Sequence, residues 1–299
     1  VRQDLSRQTR GVPVQQLINI KTASDERVNA LIAISGLGLD KYIVMVTRLG
    51  EVKRMHLGQF ANIRSNGLTA MDLEPKDQML VARLADPGMS VILVSKNGKG
   101  VQFQLDEISL RIGRAAGGVR GIRLMGNDEL IAADVAWPDA NLLLLTERGY
   151  GKRTAVKQFR ITGRNVQGVI ALRITDKTGP MAAAVVTSSD VEEVMVGSAK
   201  AMVVRMNINE IQTIGRVAQG VKVMTKLQDD DKVISLSAFK EGAGQTETPA
   251  VSQFMPLRKN GNKTPSVSQQ LPLDVDTEED QDILDEDEGT SEGNEESQQ

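Results

Sequence analysis

The chain alternates short apolar runs, rich in Val, Ile, Leu and Ala, with clusters of Asp, Gly and Pro. Short apolar runs between turn residues predict β-strands, because a helix needs a longer segment with a 3.6-residue periodicity. Five such runs recur along the chain, each shortly after an acidic residue. They span residues 28–34, 79–84, 130–135, 181–187 and 233–237.

Four further segments each predict a β-hairpin. In each of them an apolar strand reaches a Thr or Ser, turns, and returns as a strand that often carries Lys or Arg. A glycine at the turn can take the positive φ that a tight turn requires, and Asn97-Gly98 is the strongest of these signals. The basic residues predict that the returning strand is an outer strand that faces solvent. The segments span residues 42–54, 91–102, 142–153 and 194–205.

An apolar anchor and an arginine–glycine element complete each unit. The anchors are Phe60, Ile108, Phe159 and Ile211, and in each element an arginine precedes a glycine by three or four residues. The glycines of successive elements stand 56, 51, 50 and 52 residues apart. A repeat of this length predicts an array of small supersecondary units, with about four strands in each unit and one propeller-like blade per unit. The elements span residues 7–11, 64–67, 114–118, 164–168 and 216–220.

The composition narrows the class of protein. The chain has no cysteine, which excludes disulfides and thiolate metal sites and fits a reducing cytoplasm. His56 is the only histidine, so the chain cannot supply a histidine metal cluster or a Ser-His-Asp arrangement of the usual kind by itself. No apolar run approaches the roughly 18 residues of a membrane span, so we expect no membrane partner.

The charge is divided unevenly along the chain. Residues 274–299 carry 13 acidic residues and no basic one, whereas residues 1–273 carry all 36 basic residues and the remaining 26 acidic ones, a net charge of +10. Such a split indicates a nucleic-acid partner or a regulatory tail. We predict a β-domain over residues 1–239, a flexible linker over 240–273 and a disordered acidic tail over 274–299. The tail is either a solvated solubility element or a competitor of DNA for the basic surface.

Four stretches resemble the C-terminal domain of the DNA gyrase A subunit, in the right order and at the right spacing over roughly residues 1–239. The resemblance implies an all-β fold, the β-pinwheel, in which a propeller-like disc of four-stranded blades wraps duplex DNA around its basic rim. In the family this wrapping has positive handedness and supports ATP-dependent negative supercoiling. The stretches are Gly117-Gly-Val-Arg-Gly-Ile-Arg-Leu124, Thr146-Glu-Arg-Gly-Tyr-Gly-Lys-Arg-Thr-Ala-Val156, Gly163-Arg-Asn-Val-Gln-Gly-Val-Ile170 and Gly215-Arg-Val-Ala-Gln-Gly-Val221.

The resemblance also implies what the chain lacks. ATP hydrolysis, Mg²⁺ and strand cleavage belong to the rest of the holoenzyme, so we expect no cofactor and no catalytic residue here; Tyr42 and Tyr150 occupy hairpin positions. The gyrase B subunit would bind the N-terminal part of the A subunit, which is missing from this chain, and the two subunits would form an A2B2 heterotetramer. The family's box of the Gln-Arg-Arg-Gly-Gly-Lys-Gly type is absent, and we expect it upstream of Val1.

Two other hypotheses stay open. A parent protein without the box would favour the related topoisomerase IV subunit, whose domain selects DNA crossings. A propeller that scaffolds other proteins would need exposed aromatic hot spots, and the eight aromatic residues of this chain (one Trp, two Tyr, five Phe) argue against it.

Basic side chains at equivalent positions of the units are the candidate DNA ligands. The arginines of the arginine–glycine elements either cap carbonyls at joints between blades or contact phosphate together with nearby backbone amides. The basic residues of the returning strands are either ordinary surface charges or part of a rim that binds the DNA backbone without sequence preference. The candidates are Arg7, Arg10, Lys53, Arg54, Arg64, Lys99, Arg114, Arg120, Arg123, Lys152, Arg153, Lys157, Arg164, Arg205, Arg216 and Lys222.

Overall fold

The computed structural model describes residues 26, 28–34, 40–63, 67–110, 113, 115–240 and 250–253. All of them lie within one compact unit, residues 1–257. Their regular structure consists of β-strands and short 3-10 helices, which confirms the all-β prediction. Among these residues no helix is long and apolar enough to cross a membrane.

Antiparallel hairpins form in all four segments that predicted them. Their turns place Gly50, Gly98 and Gly149 at φ values of +92°, +76° and +76°, and Ala201 takes the same position at +64°. In all four, the Thr or Ser that ends the first strand accepts a hydrogen bond from the backbone amide four residues further on, at or next to the start of the returning strand. The hairpins are β1 (Tyr42–Thr47) with β2 (Glu51–His56), β4 (Ser90–Ser95) with β5 (Lys99–Gln104), β8 (Asn141–Thr146) with β9 (Tyr150–Ala155), and β12 (Val191–Ser198) with β13 (Val203–Asn207).

Each hairpin has a long strand on its inner side, and three of them have a two-residue strand on their outer side. The inner strands are β3 (Met79–Ala85), β7 (Leu130–Ala136), β11 (Met181–Thr187) and β15 (Val233–Lys240). The outer strands are β6 (Val119–Arg120), β10 (Val169–Ile170) and β14 (Val221–Lys222). A last strand, β16 (Ala250–Gln253), pairs with β15. A 3-10 helix follows each returning strand, at Leu57–Phe60, Leu105–Glu107, Val156–Gln158 and Ile208–Glu210.

The strands of one sequence unit are divided between two blades. The sheets have the strand orders β3-β1-β2-β6, β7-β4-β5-β10, β11-β8-β9-β14 and β16-β15-β12-β13, which we call blades 1 to 4. A unit therefore gives its hairpin to one blade, while its inner and outer strands complete the blade before it. The prediction that one unit forms one blade was wrong, because it assumed that segments adjacent in sequence pair with each other.

Apolar packing between consecutive blades forms the core. The inner strands contact one another in the order β3, β7, β11 and β15, and a cluster of buried side chains lies between each pair of successive blades. Leu142 and Leu144 belong to the cluster between blades 2 and 3, whereas Leu143 and Leu145 belong to the next one. Since blades 2 and 3 are covered on both faces, their first hairpin strands are continuous apolar runs rather than alternating ones.

The acidic residue before an inner strand fastens that strand to the hairpin turn of its blade. Asp77, Asp128 and Asp231 each accept a hydrogen bond of 3.0 Å from a turn amide. Burial raises the pKa of Asp231, but hydrogen bonds from Ser198 and from the amides of Lys232 and Lys200 outweigh it and lower this pKa below its usual value. The recurrent acidic signal in the sequence thus marks a structural contact.

The structure differs from two other sequence predictions, those for residues 28–34 and for the linker 240–273. Residues 28–34, predicted as a strand, form none, and Leu31 is 84% exposed. An inner strand pairs with the hairpin that precedes it in the chain, and the sequence offers no predicted hairpin before residue 28. In the predicted linker 240–273, residues 250–253 form β16 and Lys240 ends β15. The rest of that range and the predicted tail 274–299 lie outside the described residues.

Candidate nucleic-acid interface

The three outer strands directly follow arginine–glycine elements and form the outer edges of blades 1 to 3. In this arrangement β10 pairs with β5 and β14 pairs with β9. Gly168, at φ +77°, approaches so closely that a Cβ atom there would lie 2.5 Å from the carbonyl oxygen of Gly100. Gly220, at φ +84°, approaches the carbonyl oxygen of Gly151 in the same way, at 2.6 Å. At these two positions glycine is therefore required by both the backbone angle and the contact between two backbones.

The arginines of these elements cap carbonyl groups at the joints between blades. Arg164 donates from Nε to the carbonyl of Glu107 (2.7 Å) and from Nη1 to that of Arg120 (3.2 Å). Arg216 donates from Nη1 to the carbonyl of Ile170 (2.9 Å). Arg120 and Ile170 are the second residues of successive outer strands. Both of these arginines therefore cap carbonyls at joints between blades, as the first of the two interpretations predicted. Their contact with phosphate stays a prediction.

Two of the predicted surface lysines are buried. Lys53 and Lys152 are both 0% exposed. The ammonium of Lys53 donates to the carbonyls of Gly113 (2.8 Å) and Ala116 (2.7 Å). The prediction that they face solvent was wrong, because their strands are covered by the arginine–glycine element of the following unit.

Lys152 makes the same kind of contact in blade 3. Its ammonium donates to the carbonyls of Gly215 (2.7 Å) and Arg216 (2.5 Å). Burial, and after it the positive charge of Arg216, lower the pKa of Lys152 to about 8. Burial likewise lowers the pKa of Lys53, although the charge of Asp72 acts in the opposite direction.

The arginine that follows each lysine is also committed to contacts within the protein. Arg54 is 6% exposed; it is ion-paired with Asp106 and lies over the ring of Tyr42, with Cζ 4.9 Å from the ring centroid. The prediction of a solvent-facing position was therefore also wrong for Arg54. Arg153 is half-buried and donates to the carbonyl of Ile211 at 2.7 Å. These side chains join the returning strand to the 3-10 helix of the following blade or to the residue after that helix.

Three further candidates lie on or beside the returning strands. Arg205 of β13 is exposed and ion-paired with Glu193 on the neighbouring strand. Lys99 is half-buried at the start of β5, and Lys157 is exposed in the 3-10 helix that follows β9. Each of these three is positioned where a ligand can reach it, but none shares the repeated outer-strand position.

Exposed cations at and just after the outer strands form a repeated set, which we call the basic rim. Arg120 and Arg123 belong to blade 1, and Lys222 to blade 3. Sequence reasoning missed Arg173 and Lys226. The signal for Arg173 was available, because it stands five residues after the element glycine, as Arg123 does. The basic rim consists of Arg120, Arg123, Arg173, Lys222 and Lys226.

Blade 3 also places an aromatic ring beside the basic rim. The ammonium groups of Lys222 and Lys177 lie 5.1 Å and 5.6 Å from the ring centroid of Tyr150. Lys222 also donates to the carbonyl of Arg148 at 2.8 Å. Cations held over a ring in this way keep a defined position while the outer side of the ammonium remains accessible.

Four candidates, Arg7, Arg10, Arg64 and Arg114, lie outside the described residues. Within the described ranges no group of three His, Asp or Glu residues is close enough to hold a metal ion. His56 ends β2, and its ring packs on that of Tyr42 with 4.7 Å between centroids. The chemistry that this surface offers is therefore cation-to-anion contact.

The blades coincide with the repeats of a known family. The sequence profile of the family described as "DNA gyrase C-terminal domain, beta-propeller" matches residues 41–82, 90–136, 140–188 and 192–240, more than half of the chain. The chain belongs to the DNA gyrase C-terminal domain family. Each matched stretch covers all or most of one hairpin and of the inner strand that follows it, so the family's repeat is the blade's hairpin and its inner strand.

Named relatives support this assignment. The DNA gyrase A subunit of Dehalogenimonas lykanthroporepellens is 35% identical over 244 residues, which is 80% of this chain and 29% of that protein. The DNA gyrase A subunit of Staphylococcus aureus strain MRSA252 is 32% identical over 246 residues, 81% of this chain and 27% of that protein. The chain thus spans less than a third of the length of these relatives.

Solved structures of the family have the same fold. "Structure of DNA gyrase A C-terminal domain" matches with a TM-score of 0.68 and 24% identity, over 77% of this chain and 76% of that chain. "Crystal structure of the C-terminal domain of DNA topoisomerase IV" matches with the same TM-score and 26% identity, over 77% of this chain and 71% of that chain. These matches agree with the β-pinwheel expected from the sequence.

Proposed function

We propose that this chain binds duplex DNA along its basic rim and bends it, as the non-catalytic wrapping part of a DNA gyrase. The observation that carries the proposal is the repetition of exposed cations at the outer edge of three successive blades. Phosphate groups need only cations at a suitable spacing, and they carry no sequence information. The DNA would therefore be held by its backbone and without sequence preference.

The energetics of bending favour many weak contacts along a curved edge. Bending 20–30 base pairs by 40–90° costs on the order of 1–6 kcal/mol. Each phosphate that a protein cation neutralises releases counterions and adds about 0.9 to the slope of log affinity against log salt. Five such contacts would give a slope of about 4.5, so the complex should dissociate steeply as salt increases.

The chemistry of supercoiling would lie elsewhere in the proposed enzyme. ATP hydrolysis, Mg²⁺ binding and strand cleavage belong to the parts of a type IIA topoisomerase that this chain does not include, and the proposal assigns the chain no cofactor. The gyrase B subunit would join those other parts in an A2B2 heterotetramer. Such an enzyme would act on the nucleoid in the bacterial cytoplasm.

A plasmid-ligation experiment tests the proposal. A nicked circular plasmid is ligated in the presence of the full chain, and its linking number is read on a gel after protein removal. We expect a positive shift in linking number that grows with bound protein. Failure to bind DNA at low salt would overturn the proposal and favour a protein-scaffolding role.

The same experiment separates the second candidate, a topoisomerase IV C-terminal domain. The observation behind that candidate is the match to the topoisomerase IV structure, whose TM-score equals that of the gyrase structure and whose identity to this chain is 26%. DNA binding without a change in linking number would support it against chiral wrapping.

Matched variants locate the binding surface. Replacing Arg123 and Arg173 by Ser should reduce the salt slope of binding by roughly 2, because two phosphate contacts are lost. Lys200→Ser is the control, since Lys200 lies on the turn of blade 4 and is ion-paired with Asp230. An unchanged slope in the double variant, or an equal loss in the control, would remove the basic rim from the proposal.

A further inference from the structure

Lys152 is a buried cation that the proposed DNA contacts do not use. It is 0% exposed, and its ammonium donates to two backbone carbonyls, those of Gly215 and Arg216. Both carbonyls belong to the turn that leads into the outer strand β14. A buried ammonium is costly unless its donors are satisfied, so the turn is held against β9 from within.

The fold itself does not require a lysine at this position. Blade 2 has Val101 at the equivalent place in β5, 2% exposed, and blade 4 has Val204 in β13. The pairing of β5 with β10 in blade 2 matches that of β9 with β14 in blade 3. A valine therefore suffices to build the blade, and the lysine of blade 3 adds something other than strand pairing.

The charges around Lys152 are of its own sign. Arg216 in the turn is the charged group that bears on it most closely. On the same edge, the ammonium groups of two further lysines lie over the ring of Tyr150 in β9. They are Lys222 of β14 and Lys177 of the turn that precedes β11. An anion that binds in front of these cations attracts the ammonium of Lys152 and raises its pKa. Each unit by which binding raises this pKa corresponds to a tenfold change in affinity for the anion.

We propose that Lys152 is a positioning residue for DNA binding: it holds the 215–218 turn from behind and adds a positive charge beneath the surface that receives a phosphate group. This inference rests on the proposed DNA-binding function. Because the charged form is the effective one, binding of DNA should be coupled to uptake of a proton by Lys152.

The coupling has a definite sign. The pKa of Lys152 in the folded chain is lowered to about 8, so its ammonium begins to lose its proton at a pH where ordinary lysines remain charged. DNA raises this pKa by favouring the ammonium form. The affinity for DNA should therefore fall as pH rises through about 8, and a rise of one pKa unit on binding corresponds to a loss of up to about tenfold.

Lys53 provides a control within the same chain. It has the same burial and also donates to carbonyls of an arginine–glycine turn, but the negative charge of Asp72 acts on it. With a carboxylate nearby, Lys53 keeps its proton more readily and gains less from an arriving phosphate. Lys53→Met should therefore leave the pH dependence of DNA binding close to that of the unmodified chain.

The test measures the affinity of the full chain for a duplex of about 40 base pairs, long enough to follow the curved edge, by fluorescence anisotropy between neutral and alkaline pH. The unmodified chain, Lys152→Met and Lys53→Met are compared at constant ionic strength. We expect affinity to fall up to about tenfold more in the unmodified chain than in Lys152→Met. The α-amino group, which titrates near the same pH, is common to all three chains and cancels.

If Lys152→Met fails to fold, calorimetry on the chain of unmodified sequence, with its α-amino group acetylated so that it cannot titrate, keeps the proposal testable. Titrations at about pH 8.5 in two buffers of different ionisation enthalpy report the protons taken up on binding. We expect net proton uptake there that is absent at about pH 7. Binding with no proton uptake, or equal pH profiles in all three chains, would overturn the role of Lys152 while leaving the proposed function intact. Absence of DNA binding in the unmodified chain would instead overturn the proposed function.

Discussion

Replacing Gly168 by Ala should weaken the joint between blades 2 and 3 more than its small size suggests. Two penalties combine at this position. Gly168 has a φ of +77°, which costs an L-residue about 1–2 kcal/mol. The new Cβ would also lie 2.5 Å from the Gly100 carbonyl oxygen and 2.6 Å from a methyl group of Val101. Since a backbone carbonyl cannot rotate away, the outer strand must move.

The size of the second penalty follows from the contacts that β10 makes. Moving the strand disrupts its two-residue pairing with β5 and the hydrogen bond from the Ala171 amide to the Gly98 carbonyl, 2.8 Å long. Each backbone hydrogen bond contributes about 1 kcal/mol of net stability. Together with the backbone angle, we expect Gly168→Ala to lower the free energy of unfolding by about 3–4 kcal/mol.

Two other glycines separate the contributions. Gly88 has a φ of +81°, but no atom lies within 4 Å of the place that a new methyl group would occupy, so Gly88→Ala should cost only the backbone strain, about 1–2 kcal/mol. Gly163 directly precedes the arginine–glycine element that contains Gly168, lies outside the positive-φ region and has open space around it. Gly163→Ala should therefore change stability little.

Urea unfolding followed by the fluorescence of Trp137 measures these differences. Trp137 is the only tryptophan and packs against the cluster between blades 2 and 3, so it reports on the joint in question. Equal destabilisation by Gly168→Ala and Gly88→Ala would show that the close approach of the two backbones contributes nothing. A loss of stability in Gly163→Ala as large as that in Gly168→Ala would also refute this reasoning, because Gly163 has neither a positive φ nor a close neighbour.

Three further outcomes are expected from the structure. Arg164→Met should lower the free energy of unfolding by about 2 kcal/mol, since two capped carbonyls lose a charged donor; thermal unfolding against Lys157→Met as the exposed control measures this. Asp231→Ala should cost about 2 kcal/mol near neutral pH and less at about pH 3, because the pKa of Asp231 is lowered and the stability it gives begins to be lost as pH falls below about 4. Urea midpoints at both pH values test it. As pH rises from about 8 to 10, the unmodified chain should gain stability relative to Lys152→Met, by at most about 3 kcal/mol, because in this range Lys152 binds more protons in the unfolded state than in the folded state. A difference in urea midpoints that does not change with pH would contradict the argument that burial lowers this pKa.

The exchange of strands between blades has a consequence for the proposed wrapping. The elements at 164–168 and 216–220 each lead into a strand that pairs with the hairpin of the blade it completes, and each also contacts the outer strand of the blade before, as Arg164 and Arg216 do through the carbonyls of Arg120 and Ile170. The basic rim is therefore built on a continuous series of backbone contacts. Rim cations fixed in this way lose little conformational freedom when they meet DNA, which favours binding of an already curved duplex.

Much of the architecture was readable in the sequence because the signals are local. The four hairpins depend on turn glycines, on the Thr or Ser before each turn and on apolar runs that are contiguous in the chain. The repeat of about 50 residues predicted the propeller-like array for the same reason, since each unit repeats its own short-range pattern. The regular spacing of the arginine–glycine elements was enough to indicate the family.

Strand partners, in contrast, were decided only by the tertiary structure. The pairing of β6 with β2 joins two successive units, with Val119 opposite Val52, and no local pattern distinguishes it from pairing within one unit. The burial of Lys53 and Lys152 follows from that exchange, because the element that covers each lysine comes from the next unit. Val101 and Val204 at the equivalent positions were the hints in the sequence that this place is interior. The sequence shows that a residue is a lysine and carries a positive charge. Whether its ammonium is hydrated or bonded to a backbone carbonyl depends on which segment, distant in sequence, packs over it.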